Sequence, residues 1–286
     1  NWGHGDGGKY TNQAAAQVVS ELNLGNGSLE VAYRQGVRFM PSLSLNTLIP
    51  TRTQCMVDVV QKQAPTSWLY DSAGAVLITG GLGGLGIVTA EALVEVGTRC
   101  VVLASRSGKV KHSDQGLDKR LGTLRASGVR VVLERCDTSV EGDVKGMLER
   151  VRTQHGPLRI VVHAAGVAAS AALPDQDAET MRHVWRPKAD GAWFLHKHTV
   201  WKDQQLGTFI MYSSLSAIFR NRSQINDCAA NEYLDGLARW LMTQGLPATS
   251  VQWPFVSGVG MVGSVEVIDK KMSVSPEVVK WVVTTA

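Results

Sequence analysis

The sequence has no apolar run near the roughly 18 residues needed to cross a bilayer, and it has only four cysteines. Cys55, Cys100, Cys136 and Cys228 show neither metal-ligand nor redox spacing, which indicates reduced thiols in a cytoplasmic protein without a bound metal. No basic cluster is interleaved with aromatic residues, and the net charge of +4 is mild. We therefore expect no membrane and no nucleic-acid partner, although the charge suits an acidic cofactor or partner.

The first residues, Asn1-Trp2-Gly3-His4, include neither a methionine nor a signal-peptide pattern. This start predicts an internal boundary of a longer protein. Hydrophobic residues make up 44% and charged residues 19% of the 286, which is ordinary for a globular protein with a substantial core. The length allows one large domain, or one domain with a smaller neighbour.

Residues 1–45 carry a helical run and a hairpin pattern, which are too little to form an independent fold. They are either a fragment of a small subdomain or a segment that packs against the residues after it. Residues 46–72 show no clear period and contain two prolines, which predicts a connecting segment. The two hairpin strands are predicted over Leu29–Arg34 and Val37–Met40.

Residues 73–286 alternate short apolar runs with longer amphipathic ones. This alternation predicts an α/β fold, a doubly wound parallel sheet of the Rossmann type, with its cofactor at the switch point of the sheet. The predicted strands are Ala75–Thr79, Arg99–Ser105, Val129–Arg135, Arg159–His163, Gly207–Ser213 and Thr249–Trp253. The predicted helices are Leu85–Val96, Asp118–Ser127, Glu141–His155, Ala178–His198 and Asp227–Gln244.

A glycine-rich loop joins the first strand of this region to its first helix. Glycine permits a tight turn and a close approach of the backbone to a pyrophosphate, and the helix N-terminus favours that anion. A glycine-rich turn without a ligand is the alternative, but the apolar strand before the loop and the amphipathic helix after it favour dinucleotide binding. The loop reads Thr79-Gly80-Gly81-Leu82-Gly83-Gly84-Leu85-Gly86.

The end of the second strand distinguishes NADP from NAD. An NAD enzyme usually has an acidic residue here for the ribose 2′-hydroxyl, whereas this chain has Ser105 and Arg106. Arg106 could pair with a 2′-phosphate, or it could be a solvated loop arginine. Asp137 is predicted near the adenine, although it could equally cap a helix. The small residues after the fourth strand are predicted beside the nicotinamide ribose; they are Ala164, Ala165 and Gly166.

With these motifs the chain resembles the short-chain dehydrogenases, and specifically the ketoreductase domains of modular polyketide synthases. The resemblance implies that residues 1–45 are the tail of a structural subdomain and that residues 73–286 are the catalytic subdomain. The matching segments are Thr79–Gly86, Ser105–Gly108, His163–Gly166, Pro187–Ala192, Tyr212–Ser214 and Cys228–Asn231.

The resemblance also implies an activity. The family reduces the β-keto group of an acyl thioester, carried on the phosphopantetheine arm of an acyl carrier protein, with NADPH. The implied partners are that carrier and other polyketide synthase domains. A tyrosine donates the proton, a serine binds the carbonyl oxygen, and a lysine and an asparagine assist. Ser214, Lys188 and Asn231 match the last three, but the tyrosine position is Asp227.

Asp227 predicts weak or absent reduction. A carboxylate near Lys188 would be held ionised, so it could only accept a hydrogen bond where the reaction needs a donor. Neither Tyr212 nor Tyr233 lies where it can substitute. One alternative is an active ketoreductase that uses Ser214, Lys188 and either a water or a protonated Asp227. A second alternative is a non-reducing structural or epimerising domain.

Two sequence features leave further questions open. Neither stereochemical type of the family is marked, since its signature positions hold Ala168-Ala169-Ser170 and Phe219. Arg182 and Arg186 could meet an acidic carrier protein, although surface charge of this kind is common.

Overall fold

A computed structural model describes residues 32–34, 37–39, 74–110, 115–199, 206–219, 223–260 and 273–285. The chain divides into two units, residues 1–62 and 63–286. In the first unit the described residues form an antiparallel pair, β1 (Ala32–Arg34) and β2 (Val37–Phe39), as the hairpin pattern predicts. The rest of the predicted 1–45 segment, and the connecting segment as far as residue 72, lie outside the described residues.

The second unit is built on a six-stranded parallel sheet with the order β5-β4-β3-β6-β7-β8. The strand order reverses between β3 and β6, which makes the C-terminal ends of these two strands the switch point. This sheet confirms the predicted fold class. The strands are β3 (Ala75–Thr79), β4 (Cys100–Ser105), β5 (Arg130–Arg135), β6 (Leu158–His163), β7 (Thr208–Ser214) and β8 (Ala248–Trp253).

Helices cover both faces of the sheet. On β3, Ala75 and Leu77 belong to one hydrophobic cluster and Val76 and Ile78 to another, as alternation along a strand requires. Helices α3, α5 and α7 pack in the first cluster, and α1, α2 and α8 in the second. The helices are α1 (Gly84–Glu95), α2 (Leu117–Ala126), α3 (Glu141–His155), α4 (Ala178–Trp185), α5 (Gly191–Thr199), α6 (Ser216–Phe219), α7 (Ile225–Thr243) and α8 (Pro276–Thr285).

The segment predicted as helical, Ala178–His198, is helical along its length, but it is not one regular α-helix. A π turn, Arg186–Asp190, separates α4 from α5. Proline has no main-chain N–H, which weakens the regular helical ladder at Pro187. Two side chains from other elements then bind the carbonyl oxygens of this turn: Thr138 Oγ1 donates to Pro187 O at 2.9 Å, and His163 Nε2 lies 2.8 Å from Lys188 O.

Several elements lack a sequence prediction. A 3₁₀ turn spans Leu173–Asp175, and short strands β9 (Phe255–Val256) and β10 (Ser273–Val274) pair in parallel. Helix α8 packs against α1 through the buried Val279 and Val283. Among the described residues, no helix is long and apolar enough to cross a membrane.

Candidate active site

A buried histidine joins three parts of the switch point. Thr79 and His163 are register partners at the ends of β3 and β6, and Thr79 Oγ1 lies 2.7 Å from His163 Nδ1. On the other side, His163 Nε2 contacts the carbonyl oxygen of Lys188. Because a carbonyl only accepts, Nε2 carries the proton and Nδ1 accepts from the threonine hydroxyl. Burial lowers the pKa of His163 to about 4, so the imidazole is neutral near pH 7.

The glycine-rich loop forms a cradle that side chains would fill. Gly80 has φ +67°, and a Cβ there would lie 2.6 Å from the carbonyl oxygen of Ala164. A Cβ on Gly86 would lie 2.5 Å from Gly80 O. The loop leads into α1, whose N-cap residue is Gly83. Glycine has no side chain to accept from the first N–H groups of the helix, and the first turn of the helix has no acidic residue. Its N–H groups therefore suit an anion.

Most residues predicted to bind the cofactor line one cleft of about 120 Å³. They are Gly80, Leu82, Gly83, Gly84, Leu85, Gly86, Ser105, Arg106, Ala164, Ala165 and Gly166. Three others do not line it: Thr79 is bound to His163, Gly81 packs against Leu103, and Asp137 lines a neighbouring cavity.

The end of β4 places an exposed guanidinium at the mouth of this cleft. Ser105 Oγ accepts from the N–H of Gly108 at 3.0 Å, which fixes the turn that carries Arg106. The Oδ1 atom of Asp137 accepts from the N–H and the hydroxyl of Ser139, at 2.9 and 2.6 Å. Helix α3 has Val140 as its N-cap, so Asp137 does not cap it. A glycine cradle, an uncapped helix N-terminus and an exposed guanidinium together fit a phosphate-bearing dinucleotide.

A second cavity, of about 220 Å³, adjoins the cleft at Leu85, Ala164–Gly166 and Gly260. It brings together Lys188, Ser214 and Asp227 from the π turn, the end of β7 and the start of α7. Asn231, one helical turn after Asp227, is fully buried beside them.

Lys188 and Asp227 form an ion pair, with Nζ 2.8 Å from Oδ1. Lys188 also donates to Asn231 Oδ1 at 2.9 Å. The other carboxylate oxygen, Oδ2, accepts from Asn231 Nδ2 at 2.8 Å and from Ser216 Oγ at 3.2 Å. Both oxygens of Asp227 therefore serve as acceptors, and the lysine charge is matched by a carboxylate.

Ser216 is a site residue that the sequence analysis missed. Its N–H donates to Ser214 Oγ at 3.1 Å, and its hydroxyl also lies 3.3 Å from Asn231 Nδ2. The available signal was its position two residues after Ser214, immediately beyond the end of β7. In the described part of the chain, the hydroxyl proton of Ser214 has no acceptor and is free to point into the cavity.

Neither neighbouring tyrosine directs its hydroxyl at this site. Tyr212 OH lies 2.5 Å from Thr89 Oγ1, and burial raises the pKa of Tyr212. The ring of Tyr233 packs against that of Trp185 at a tilted angle, with centroids 5.2 Å apart, and burial raises the pKa of Tyr233 as well. Both phenols remain protonated at neutral pH, and neither is hydrogen-bonded to Lys188 or Asp227.

Residues 74–258 match the model of the KR domain family. The chain belongs to this family of polyketide synthase ketoreductases. The KR domain is 39% identical to the polyketide synthase GfsB of Streptomyces halstedii over 201 residues, 70% of this chain and 4% of the relative. It is also 39% identical to NorB of the spectinabilin polyketide synthase system of Streptomyces orinoci, over 68% of this chain and 9% of the relative. The matched region thus spans less than a tenth of the length of these relatives.

Solved ketoreductases have the same fold. The KR domain resembles the A-type ketoreductases of a modular polyketide synthase with a TM-score of 0.66 and 32% identity, over 78% of this chain and 47% of the other. It resembles the ketoreductase of the first module of phoslactomycin biosynthesis, from Streptomyces sp. HK803, with a TM-score of 0.66 and 28% identity, over 74% of this chain and 49% of the other. The family comprises short-chain reductases that generally use a nicotinamide cofactor.

Proposed function

We propose that this KR domain binds NADPH and is reductively weak or silent. Asp227, at the position where the family resemblance implies a tyrosine, is the reason. The observation that carries the proposal is the ion pair between Lys188 Nζ and Asp227 Oδ1 at 2.8 Å, with Asp227 Oδ2 held by Asn231 and Ser216. The proposed substrate is a β-ketoacyl thioester on an acyl carrier protein within a polyketide synthase.

The cleft residues supply what the cofactor needs. The glycine cradle and the N-terminus of α1 would hold the pyrophosphate, and Arg106 would pair with the 2′-phosphate that distinguishes NADPH from NADH. When bound, NADPH supplies a hydride to the substrate carbonyl carbon. The second cavity, which holds Lys188, Ser214 and Asp227, is called the catalytic cavity below. Both the cleft and the catalytic cavity are lined by Ala164, Ala165 and Gly166, so the cofactor and the substrate would meet beside these residues.

The catalytic cavity lacks a proton donor at Asp227. An alkoxide that forms on the carbonyl oxygen needs a proton from a group at hydrogen-bond distance. Ser214 can bind that oxygen, but a carboxylate that accepts from three donors has no proton to give. The loss of general acid catalysis costs roughly 10²–10⁴ in rate. The negative charge of Asp227 beside the developing oxyanion adds to this cost.

The active alternative with a protonated Asp227 has less support. A carboxylic acid would need one of its oxygens to donate, but Oδ1 faces the ammonium of Lys188 and Oδ2 faces the amide N–H₂ of Asn231. Both of these groups are donors, so a proton on Oδ1 would break the contact with Lys188, and the acceptor left for a proton on Oδ2 is the Ser216 hydroxyl, 3.2 Å away. Activity through a water remains the second candidate, because the hydroxyl of Ser214 still faces the cavity.

The experiment is an NADPH fluorescence titration followed by turnover with a bicyclic ketone such as 1-decalone. The original chain is compared with Asp227→Tyr and with Asp227→Phe, which has the ring without the hydroxyl. We expect all three to bind NADPH, and only Asp227→Tyr to gain turnover, by a factor of about 10² or more. Turnover by the original chain would overturn the proposal of a silent domain. A failure to bind NADPH would overturn the cofactor assignment.

A further inference from the structure

The cleft of about 120 Å³ beside the glycine-rich loop is called the cofactor cleft below. A third cavity, of about 530 Å³, lies beside it and shares Arg106 and Pro187 with it. Arg182 on α4 and Arg186 at the start of the π turn line this cavity. Ala169 lines it too, while the preceding residue, Ala168, lines the catalytic cavity. The third cavity therefore adjoins both functional parts of the site.

The two arginines present adjacent charges from one helical face. The N–H of Arg186 bonds to the carbonyl oxygen of Arg182, so the two residues are one α-helical turn apart. Side chains at this spacing are neighbours, and like charges there repel. Both are exposed, and neither guanidinium has an ion-pair partner in the part of the chain that the structure describes. An anion between them would remove the repulsion.

Three carboxylates line the same cavity, and two of them already have donors. Asp177 Oδ1 accepts from the N–H of Thr180 at 2.7 Å, and this bond holds the pKa of Asp177 below its usual range. Asp137 Oδ1 is bound to Ser139. Glu179, the third, is exposed. None of them lies within ion-pair distance of Arg182 or Arg186, so the guanidinium donors stay available.

We infer that Arg182 and Arg186 form a phosphate-binding site on the wall of this cavity, which Arg106 also lines. Planar guanidinium groups match phosphate oxygens with two parallel N–H···O bonds, and two of them one turn apart hold a single phosphate from both sides. Two ligands of the proposed function carry such a group: the phosphopantetheine arm of a carrier, and NADPH, whose 2′-phosphate the two arginines would hold together with Arg106. The cofactor as source rests on the proposed function, and the carrier arm does not require NADPH binding.

The test compares each phosphorylated ligand with its counterpart. The full chain and the double variant Arg182→Gln/Arg186→Gln are titrated with 4′-phosphopantetheine and pantetheine, and separately with NADPH and NADH. Arg125→Gln, an exposed arginine on α2, is the matched control. Arg106→Gln reports the site expected for the 2′-phosphate. Urea denaturation of every variant checks that folding is intact.

We expect the double variant to lose at least tenfold in affinity for 4′-phosphopantetheine or for NADPH, while its affinity for the counterpart without that phosphate (pantetheine, or NADH, which lacks the 2′-phosphate) changes less than twofold. Loss confined to phosphopantetheine assigns the site to the carrier arm, and loss confined to NADPH assigns it to the cofactor. Equal loss for both members of a pair, no loss in either pair, or the same loss in Arg125→Gln would each overturn the inference. If the original chain binds neither NADPH nor NADH, the proposed function fails while the pantetheine pair still decides this site.

Discussion

His163 donates a hydrogen bond from Nε2 to the main-chain carbonyl oxygen of Lys188, 2.8 Å away. The same ring accepts from Thr79, the last residue of β3 before the glycine-rich loop. The imidazole thus connects the strand that precedes the cofactor cleft to the turn that carries the lysine. The bond to Lys188 needs only a proton on Nε2, which the neutral and the charged ring both carry, whereas the bond accepted from Thr79 requires the neutral ring, so protonation of His163 would break the contact with β3.

This arrangement predicts that stability falls in mild acid. The pKa of His163 is about 4 in the folded protein and about 6.5 in an unfolded chain. Between these values the unfolded chain binds more protons, so the free energy of unfolding decreases as the pH falls from about 6.5 to about 4. From this residue alone we expect a loss of about 2 kcal/mol between pH 7 and pH 5. Urea denaturation at the two pH values measures it.

The control for the acid effect is His163→Asn, whose side chain does not titrate in this range. This variant is less stable at pH 7, but its loss of stability between pH 7 and pH 5 should be smaller than that of the original chain by about the same 2 kcal/mol. Burial also lowers the pKa of His196, and its contribution persists in both proteins. An identical pH dependence in both proteins would assign the effect to other groups.

The fold and the cofactor cleft follow from local pattern to a large extent. Buried parallel strands appear in a sequence as short apolar runs, so the strands were predictable. Glycine is needed where the backbone approaches another backbone or a ligand closely, so the loop ending at Gly86 was predictable too. The π turn was not, because the side chains that bind its carbonyls come from Thr138 and His163, which are 49 and 25 residues away in sequence. The role of Ser216 depends equally on the fold, since its hydroxyl meets Asp227 only where β7 ends beside α7.

Gly86→Ala is predicted to weaken cofactor binding. The added Cβ would lie 2.5 Å from Gly80 O and 2.6 Å from Gly81 Cα, and both contacts are to backbone that cannot rotate away. The loop must therefore shift from the shape that accepts a pyrophosphate. We expect a loss of more than tenfold in NADPH affinity by fluorescence titration.

Gly122→Ala is the matched control for the loop substitution. Gly122 lies in α2, and nothing is within 4 Å of its added Cβ. Alanine there should stabilise the helix by up to about 1 kcal/mol and leave NADPH affinity unchanged. NADPH binding by Gly86→Ala with the affinity of the original chain would show that this part of the loop does not contact the cofactor.

Ser216 and Asp227 are predicted to be energetically coupled. The Ser216 hydroxyl donates to a carboxylate that is mostly shielded from water, so Ser216→Ala should cost about 1–2 kcal/mol in the original chain. In an Asp227→Ala background the acceptor is absent, and the same substitution should cost about 1 kcal/mol less. A double-mutant cycle by urea denaturation measures this difference. Additive effects would mean that the serine stabilises the site through its other neighbours.

Gln115 is predicted to slow the release of the cofactor. Its Nε2 donates to Gly260 O and its Oε1 accepts from Gly260 N–H, both at 2.9 Å. Gly260 in turn lies against Gly84, because a Cβ added to Gly84 would be 2.2 Å from Gly260 N. Gly260 also lines both the cleft and the catalytic cavity. A single amide thus holds the wall between the two cavities against the glycine-rich loop.

Gln115→Ala removes both bonds to this wall. Each bond is worth about 1 kcal/mol. We therefore expect the loss of both to raise the dissociation rate of NADPH, measured by stopped-flow fluorescence, by up to about 30-fold. Gln244→Ala, an exposed glutamine at the end of α7, is the matched control and should leave the rate unchanged. If Gln115→Ala lowers the free energy of unfolding but not the residence time of NADPH, the contact supports the fold and does not retain the cofactor. A faster release at unchanged stability would place the effect at the cleft itself.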